Sequence, residues 1–145
     1  MSNPIHNEDY DAGATSVSGV DLTAVTTTQY TSDVLNLGRS IAVNLSITAA
    51  TATAGTCEIR GIPCDGAGNA IGAIQDICTA IDTTASLEVC VSFGPGMTSA
   101  ATSGTVSDQI SSLLGAPKIK YVVEVGTAGN GTQTADLRVL QMAIY

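Results

Sequence analysis

The sequence has no tryptophan, one phenylalanine, four tyrosines and a single histidine, and only 12% of its 145 residues are charged. Each shortage removes a class of function. Without exposed aromatic rings there is no platform for stacking bases or sugars. Five basic against thirteen acidic residues leave a formal charge of −8, and repulsion from phosphates opposes binding to nucleic acid or to an anionic membrane. No run approaches the ~20 apolar residues that span a bilayer. The opening MSNPIHNEDYDAGATS has neither a basic start nor an apolar stretch, so no signal peptide is expected and the chain is expected to stay in the cytoplasm that makes it.

Catalysis is equally short of material. A nucleophile needs a base beside it, and the only imidazole, His6, lies in a polar leading segment. No Gly-x-Ser-x-Gly, P-loop or zinc pattern occurs. The spaced glycines of GIPCDGAGNAIG join two strand-like runs rather than opening a helix, so a plain β-turn is expected there, not a phosphate loop. Asp65, Asp76 and Asp82 lack the dense spacing of a calcium loop and read as solvated charges. No enzyme activity, cofactor or metal is expected.

Four cysteines remain: Cys57, Cys64, Cys78 and Cys90. No pair has C-x-x-C spacing, and the first two, seven residues apart in one expected strand, stand about 23 Å apart at ~3.3 Å per residue, too far for a disulfide. They are expected to be free, buried structural thiols behaving as small hydrophobes.

What the sequence does hold is alternation. In IAVNLSITAATATAG, residues 41–55, Ile41, Val43, Leu45 and Ile47 fall on one face of an extended chain and Ala42, Asn44, Ser46 and Thr48 on the other. YTSDVLNLG puts Leu35 with Leu37. CEIRGIP sets Cys57 and Ile59 against Glu58 and Arg60. LEVCVSF sets Leu87, Val89, Val91 and Phe93 against Glu88, Cys90 and Ser92, and KIKYVVEV sets Ile119, Tyr121, Val123 and Val125 against Lys118, Lys120, Val122 and Glu124. Each predicts a half-buried strand. Turn signals DGAGN, GPG and GTAGNG stand between them.

SDQISSLLG, 107–115, predicts a helix of about two turns, capped by Ser107 or Asp108 and stopped by Gly115 and Pro117. TADLRVLQMAIY changes face at Leu140, which predicts either a bulge or a strand buried on both sides. Short one-sided strands with Gly-rich turns predict an all-β, jelly-roll-like antiparallel β-sandwich over 21–145. Residues 1–20, small and polar without a period, predict an extended N-terminal arm.

The run DLTAVTTTQYTSDVLNLGRSIAVNLSITAATATAG, 21–55, together with KYVVEVGTAGNGTQTADLRVLQMAIY, 120–145, resembles the capsid cement or decoration proteins of tailed bacteriophages, in particular the group resembling the Bordetella phage cementing protein. The shared outline is a Thr/Ala-rich lead-in, Ser-x-x-Val-Leu-x-Leu-Gly, an alternating strand, an Ala/Thr-Gly turn, and a late Tyr-x-x-Val strand followed by a Gly-rich turn and a last strand. Asn36 stands where that pattern often has Asp, and the cysteine-bearing middle is this chain's own. The resemblance implies a non-enzymatic jelly roll on the outside of an icosahedral head. It implies two partners: the major capsid protein, whose neighbouring subunits it clamps, and itself, in a small symmetric oligomer, dimer or trimer.

The uncharged outer face of the 41–48 strand suits that role, because another surface can approach it without desolvating charge. Tyr10 in the arm, Ala42, Asn44, Ser46 and Thr48 on the strand, and Thr51 and Thr53 beyond it are the candidate contact residues. The alternative is a receptor- or glycan-binding jelly roll of a phage fibre, or a secreted adhesin-like β domain.

Overall fold

A computed structural model describes residues 15–37, 40–94 and 100–142. Among these residues ten strands run in the order β1 (Thr15–Asp21), β2 (Gln29–Asn36), β3 (Ser40–Ala50), β4 (Thr56–Cys64), β5 (Gln75–Asp82), β6 (Leu87–Phe93), β7 (Ala100–Ala101), β8 (Thr105–Val106), β9 (Lys118–Thr127) and β10 (Thr132–Met142), with one helical turn, α1 (Ile110–Leu113), before β9. They form two antiparallel sheets, β1-β10-β3-β6-β7 (sheet A) and β2-β9-β4-β5-β8 (sheet B). Leaving aside the two-residue β7 and β8, the other eight strands interleave as two Greek keys, the order of a jelly roll. The all-β sandwich expected from the strand patterns is what the chain forms.

The core lies between the sheets and follows the alternation. Ile41, Val43, Leu45 and Ile47 of β3 face inward with Val89, Val91 and Phe93 of β6 and Leu137 and Val139 of β10, against Ile59, Ile77, Ile81, Ile119, Tyr121 and Val123 of sheet B. Burying each such side chain contributes about 1.5–3 kcal/mol. β10 pairs with β3 without a register shift from Thr132 to Met142, which excludes the bulge alternative near Leu140.

Five expectations need correction. First, residues 15–20 are not part of an arm: they belong to β1, which pairs with β10 and buries Val17 and Val20. Two register shifts and Gly19, at φ +64°, put these two valines, three residues apart, on the same side, so no period of two is visible. Residues 1–14, and with them Tyr10, lie outside the described residues.

Second, β9 is buried on both faces, since Val122 is fully covered and Glu124 is 9% exposed. Third, the helix is a single turn with Gln109 at its N-cap and no side-chain cap hydrogen bond; the Ser107 hydroxyl instead accepts from the Gln109 N–H. Fourth, only Cys57, Cys64 and Cys78 are buried, and Cys90 is exposed. All four are free, and burial pushes the thiol of Cys57 up to about 12 and that of Cys78 to about 11. Fifth, Asp76 is no solvated loop charge but an ion-pair partner of Arg60 within β5.

DGAGN forms the expected turn. Asp65 accepts from the backbone of Ala67 and Asn69 through one carboxylate oxygen, which holds its carboxyl below the ordinary range.

Candidate interaction surfaces

The outward side chains of β3 form the middle of sheet A's open face, and the strand register decides their neighbours. β10 sets Asp136 beside Ser46 and Arg138 beside Asn44; β6 sets Glu88 beside Ser46 and Cys90 beside Asn44. Two rows therefore cross the strands, Asp136–Ser46–Glu88 and Arg138–Asn44–Cys90. Two residues separate them along each strand, about 7 Å at ~3.4 Å per residue. Asn44, Ser46, Glu88, Asp136 and Arg138 line a shallow open depression of about 130 Å³.

The strand is uncharged, as its sequence says, but the face is not. Both carboxylates are held by donors: Ser46 Oγ donates to Glu88 Oε1 at 2.7 Å, and the Gly19 N–H to Asp136 Oδ1 at 2.8 Å. The Arg138 side chain is exposed and makes no hydrogen bond or ion pair among the described residues. Ala42 and Thr48 flank the two rows.

Thr51 and Thr53 lie elsewhere, at the end of the sandwich where four connections meet: 22–28, 51–55, 83–86 and 128–131. None of these residues is charged, in a chain of net charge −8. The connections are tied to one another. Asn130 Oδ1 accepts from the N–H groups of Thr53 and Ala54 at 2.9 and 3.1 Å while its Nδ2 donates to Thr53 Oγ1 at 2.6 Å. The amide of Gln133, 1% exposed, donates to the carbonyls of Ala54 and Thr83 and accepts from the Gly131 N–H. A Cβ at Gly55 or Gly129 would collide with this amide, which explains glycine at both places.

Two further features mark this end. Val25 is 79% exposed, the larger of the two exposures of big apolar side chains among the described residues. Thr27 and Thr51 hold φ +75° and +55°, a region that β-branched residues enter at a cost of about 1–3 kcal/mol each.

The outer face of sheet B offers a contrast. Arg60 Nε contacts Asp76 Oδ1 at 2.8 Å, and its Nη1 reaches Glu124 Oε1 at 3.2 Å, which also accepts from Gln29 Nε2 at 2.6 Å. Burial, then the like charges of Asp76 and Glu124, raise the carboxyl of Glu58 beside them. No group of three or more His, Cys, Asp or Glu placed to hold a metal ion occurs among the described residues.

The sequence patterns missed Glu88, Asp136, Arg138 and Val25 as surface partners of the candidates. Each sits on its strand or loop with an ordinary pattern, and only the pairing of distant strands brings them together.

No family model matches the chain, and no curated protein matches it. Among solved structures it is similar to the CBM22-1 xylan-binding domain of Xyn10C from Paenibacillus barcinonensis, with a TM-score of 0.39 and 9% identity over 90% of this chain and 100% of that one. At that TM-score the likeness carries no argument.

Proposed function

We propose that this chain is a non-enzymatic structural protein that binds the outside of an icosahedral phage head and clamps neighbouring major capsid subunits, as the sequence resemblance implies. The observation that supports this most is the four-loop end, whose connecting residues carry no charge although Asp21 and Asp82, held by Thr23 and Thr84, border it. Its loops are already ordered by Asn130 and Gln133, so docking costs little conformational entropy, and exposed Val25 supplies an apolar contact. Backbone strain retained at Thr27 and Thr51 is of the kind that clusters at binding sites. Many copies on one lattice multiply a modest contact through effective concentration, and the acidic remainder keeps heads from associating.

The test is co-sedimentation with heads of the same phage assembled without this protein. Val25→Glu combined with Thr53→Glu places two carboxylates in the docked surface, each costing several kcal/mol if buried unpaired. The expected result is a variant with unchanged circular dichroism that stays in the supernatant. Normal sedimentation of the double variant would remove the loop end as the contact, and failure of the wild-type chain to sediment would remove the capsid reading. One observation favours the glycan-binding alternative: the depression on sheet A is lined wholly by hydrogen-bonding side chains. Retention of the wild-type chain on a glycan array, without head binding, would establish that alternative instead.

A further inference from the structure

Asn130 and Gly131, in the GTAGNG turn, form the one Asn-Gly pair of the sequence, and the fold gives a reason for each residue. A Cβ at position 131 would collide with the backbone of Ala50, Thr51 and Ala52. The Asn130 amide ties 128–131 to 51–55, accepting from the N–H groups of Thr53 and Ala54 and donating to Thr53 Oγ1. Such a pair is chemically labile, because a glycine nitrogen has no neighbouring side chain to screen it from the asparagine side-chain carbonyl.

We propose that Asn130 is a deamidation site, locked in the folded chain by Thr53, Ala54 and Gln133 and released when the loop end opens. A base takes the Gly131 N–H proton, and the nitrogen bonds to Asn130 Cγ. The Cγ–Nδ2 bond breaks, and Nδ2 leaves as ammonia with its third hydrogen supplied by water. Water then opens the five-membered imide at one of its two carbonyls, giving aspartate or isoaspartate at position 130. The net change turns an amide and a water into a carboxylate and ammonium, with nothing oxidised or reduced.

The lock acts on each reacting group. The Gly131 N–H donates to Gln133 Oε1 at 3.1 Å, and closing the imide removes that hydrogen from an acceptor on a residue only 1% exposed. Asn130 Oδ1 is pinned by two N–H groups, and expelling Nδ2 breaks its 2.6 Å bond to Thr53 Oγ1. Asn130 itself is exposed, so water and base reach it, and the hydrogen bonds are what hold the reaction back.

One opening thus leaves a permanent mark. Isoaspartate lengthens the main chain by a carbon just where Gly131 passes against Ala50 and Ala52, while aspartate adds a carboxylate to connections that carry no charge. The chemistry needs only the purified chain. Its consequence alone rests on the proposed function: a chain whose loop end opens before docking is marked and stays off the head.

Full-length chain is incubated at neutral pH, folded or in urea, and then digested with trypsin. The peptide 121–138 holds Asn130 as its one asparagine, so the mass gained when NH is exchanged for O counts the conversion. In urea it is expected to convert at the rate of a free peptide of the same sequence, and in the folded chain at least ~tenfold more slowly, the protection of a local opening. Thr53→Val, at an exposed position, removes the hydroxyl that holds Nδ2 and is expected to speed conversion in the folded chain by about twofold to tenfold, the weight of one hydrogen bond. Folded chain that converts as fast as unfolded chain overturns the proposal, as does unfolded chain that fails to convert. So does a folded Thr53→Val variant no faster than the wild type. If that variant does not fold, hydrogen exchange at the Gly131 N–H of the wild type decides: protection supports the lock, and exchange at the free-peptide rate overturns it.

Discussion

Among the described residues, the two outer faces of the sandwich each hold one arginine among carboxylates, and they use it in opposite ways. On sheet B, Arg60 bridges Asp76 and Glu124 from adjoining strands, and Val122, opposite Arg60 and Thr31 in the register, is fully buried beside it. That face is closed by its own side chains. On sheet A, Arg138 is unpaired, the carboxylates are turned to local donors, and a depression stays open between them. A count of charges cannot separate these cases; what decides is which strand lies next to which.

Removing the arginine must therefore act differently on the two faces. Arg60→Met removes the partner of Glu124 and Asp76, whose side chains are 12% and 27% exposed. Breaking a fully buried pair costs 3–5 kcal/mol, and the partial exposure here reduces that to about 2 kcal/mol. Urea unfolding is expected to show this loss, with Glu124→Gln restoring part of it in the double variant. An unchanged midpoint would make the Arg60 bridge a solvated surface pair.

Next in size is the effect of Glu58. Its carboxyl is raised in the folded state, first by burial and then by Asp76 and Glu124, so folding favours the protonated form. The stability this supplies is complete below the ordinary glutamate value and is lost as pH rises through the raised folded value. Asp21, Asp65 and Asp82 are lowered by hydrogen bonds from hydroxyl or backbone groups and act the other way, losing stability as pH falls below the ordinary aspartate value. The melting temperature should therefore rise on mild acidification and then fall. Glu58→Gln should raise it at neutral pH and abolish the first rise; a variant that keeps the rise would put its origin elsewhere.

Arg138→Ala is expected to change the stability of the isolated monomer by no more than about 0.5 kcal/mol, the range of ordinary surface changes. Equal losses from Arg60→Met and Arg138→Ala would erase the contrast between the faces. The smallest effect belongs to Cys90. A thiol reagent should modify one cysteine rapidly in the native monomer and four after unfolding, and the singly labelled protein should melt at the unmodified temperature. Rapid modification of Cys57 or Cys78 in the native state would mean that their surroundings open readily.

Much of the sandwich was legible because β3, β6 and β4 obey strict alternation, and every inward residue of β3 from Ile41 to Ile47 was named by spacing alone. LEVCVSF already placed Cys90 outside with Glu88 and Ser92; treating the four cysteines as one buried class overrode that pattern. β1 was missed because its bulge at Gly19 breaks the period. β9 was half read: its inward set was right, but Val122 and Glu124 are covered by neighbours whose identity depends on pairing. The candidates Ala42, Asn44, Ser46 and Thr48 share one face, while Thr51 and Thr53 turned out to belong to the loop end. A sequence shows which way a side chain points far sooner than it shows what stands next to it.

The placement of β9 and β10 has a consequence for how the chain is made. Each lies inside its sheet, β10 between β1 and β3 and β9 between β2 and β4. While the ribosome is still adding residues before Lys118, β1 and β2 have no strand to pair with, and one edge each of β3 and β4 is bare. Domains that fold from the N-terminus as they emerge cannot be the pattern here: the nascent chain must wait for its last two long strands, and in that interval the exposed edge of β3 is open to pairing with another nascent chain. Slowing translation just after residue 118 should therefore increase aggregation, and a chaperone that covers strand edges should matter most at that moment.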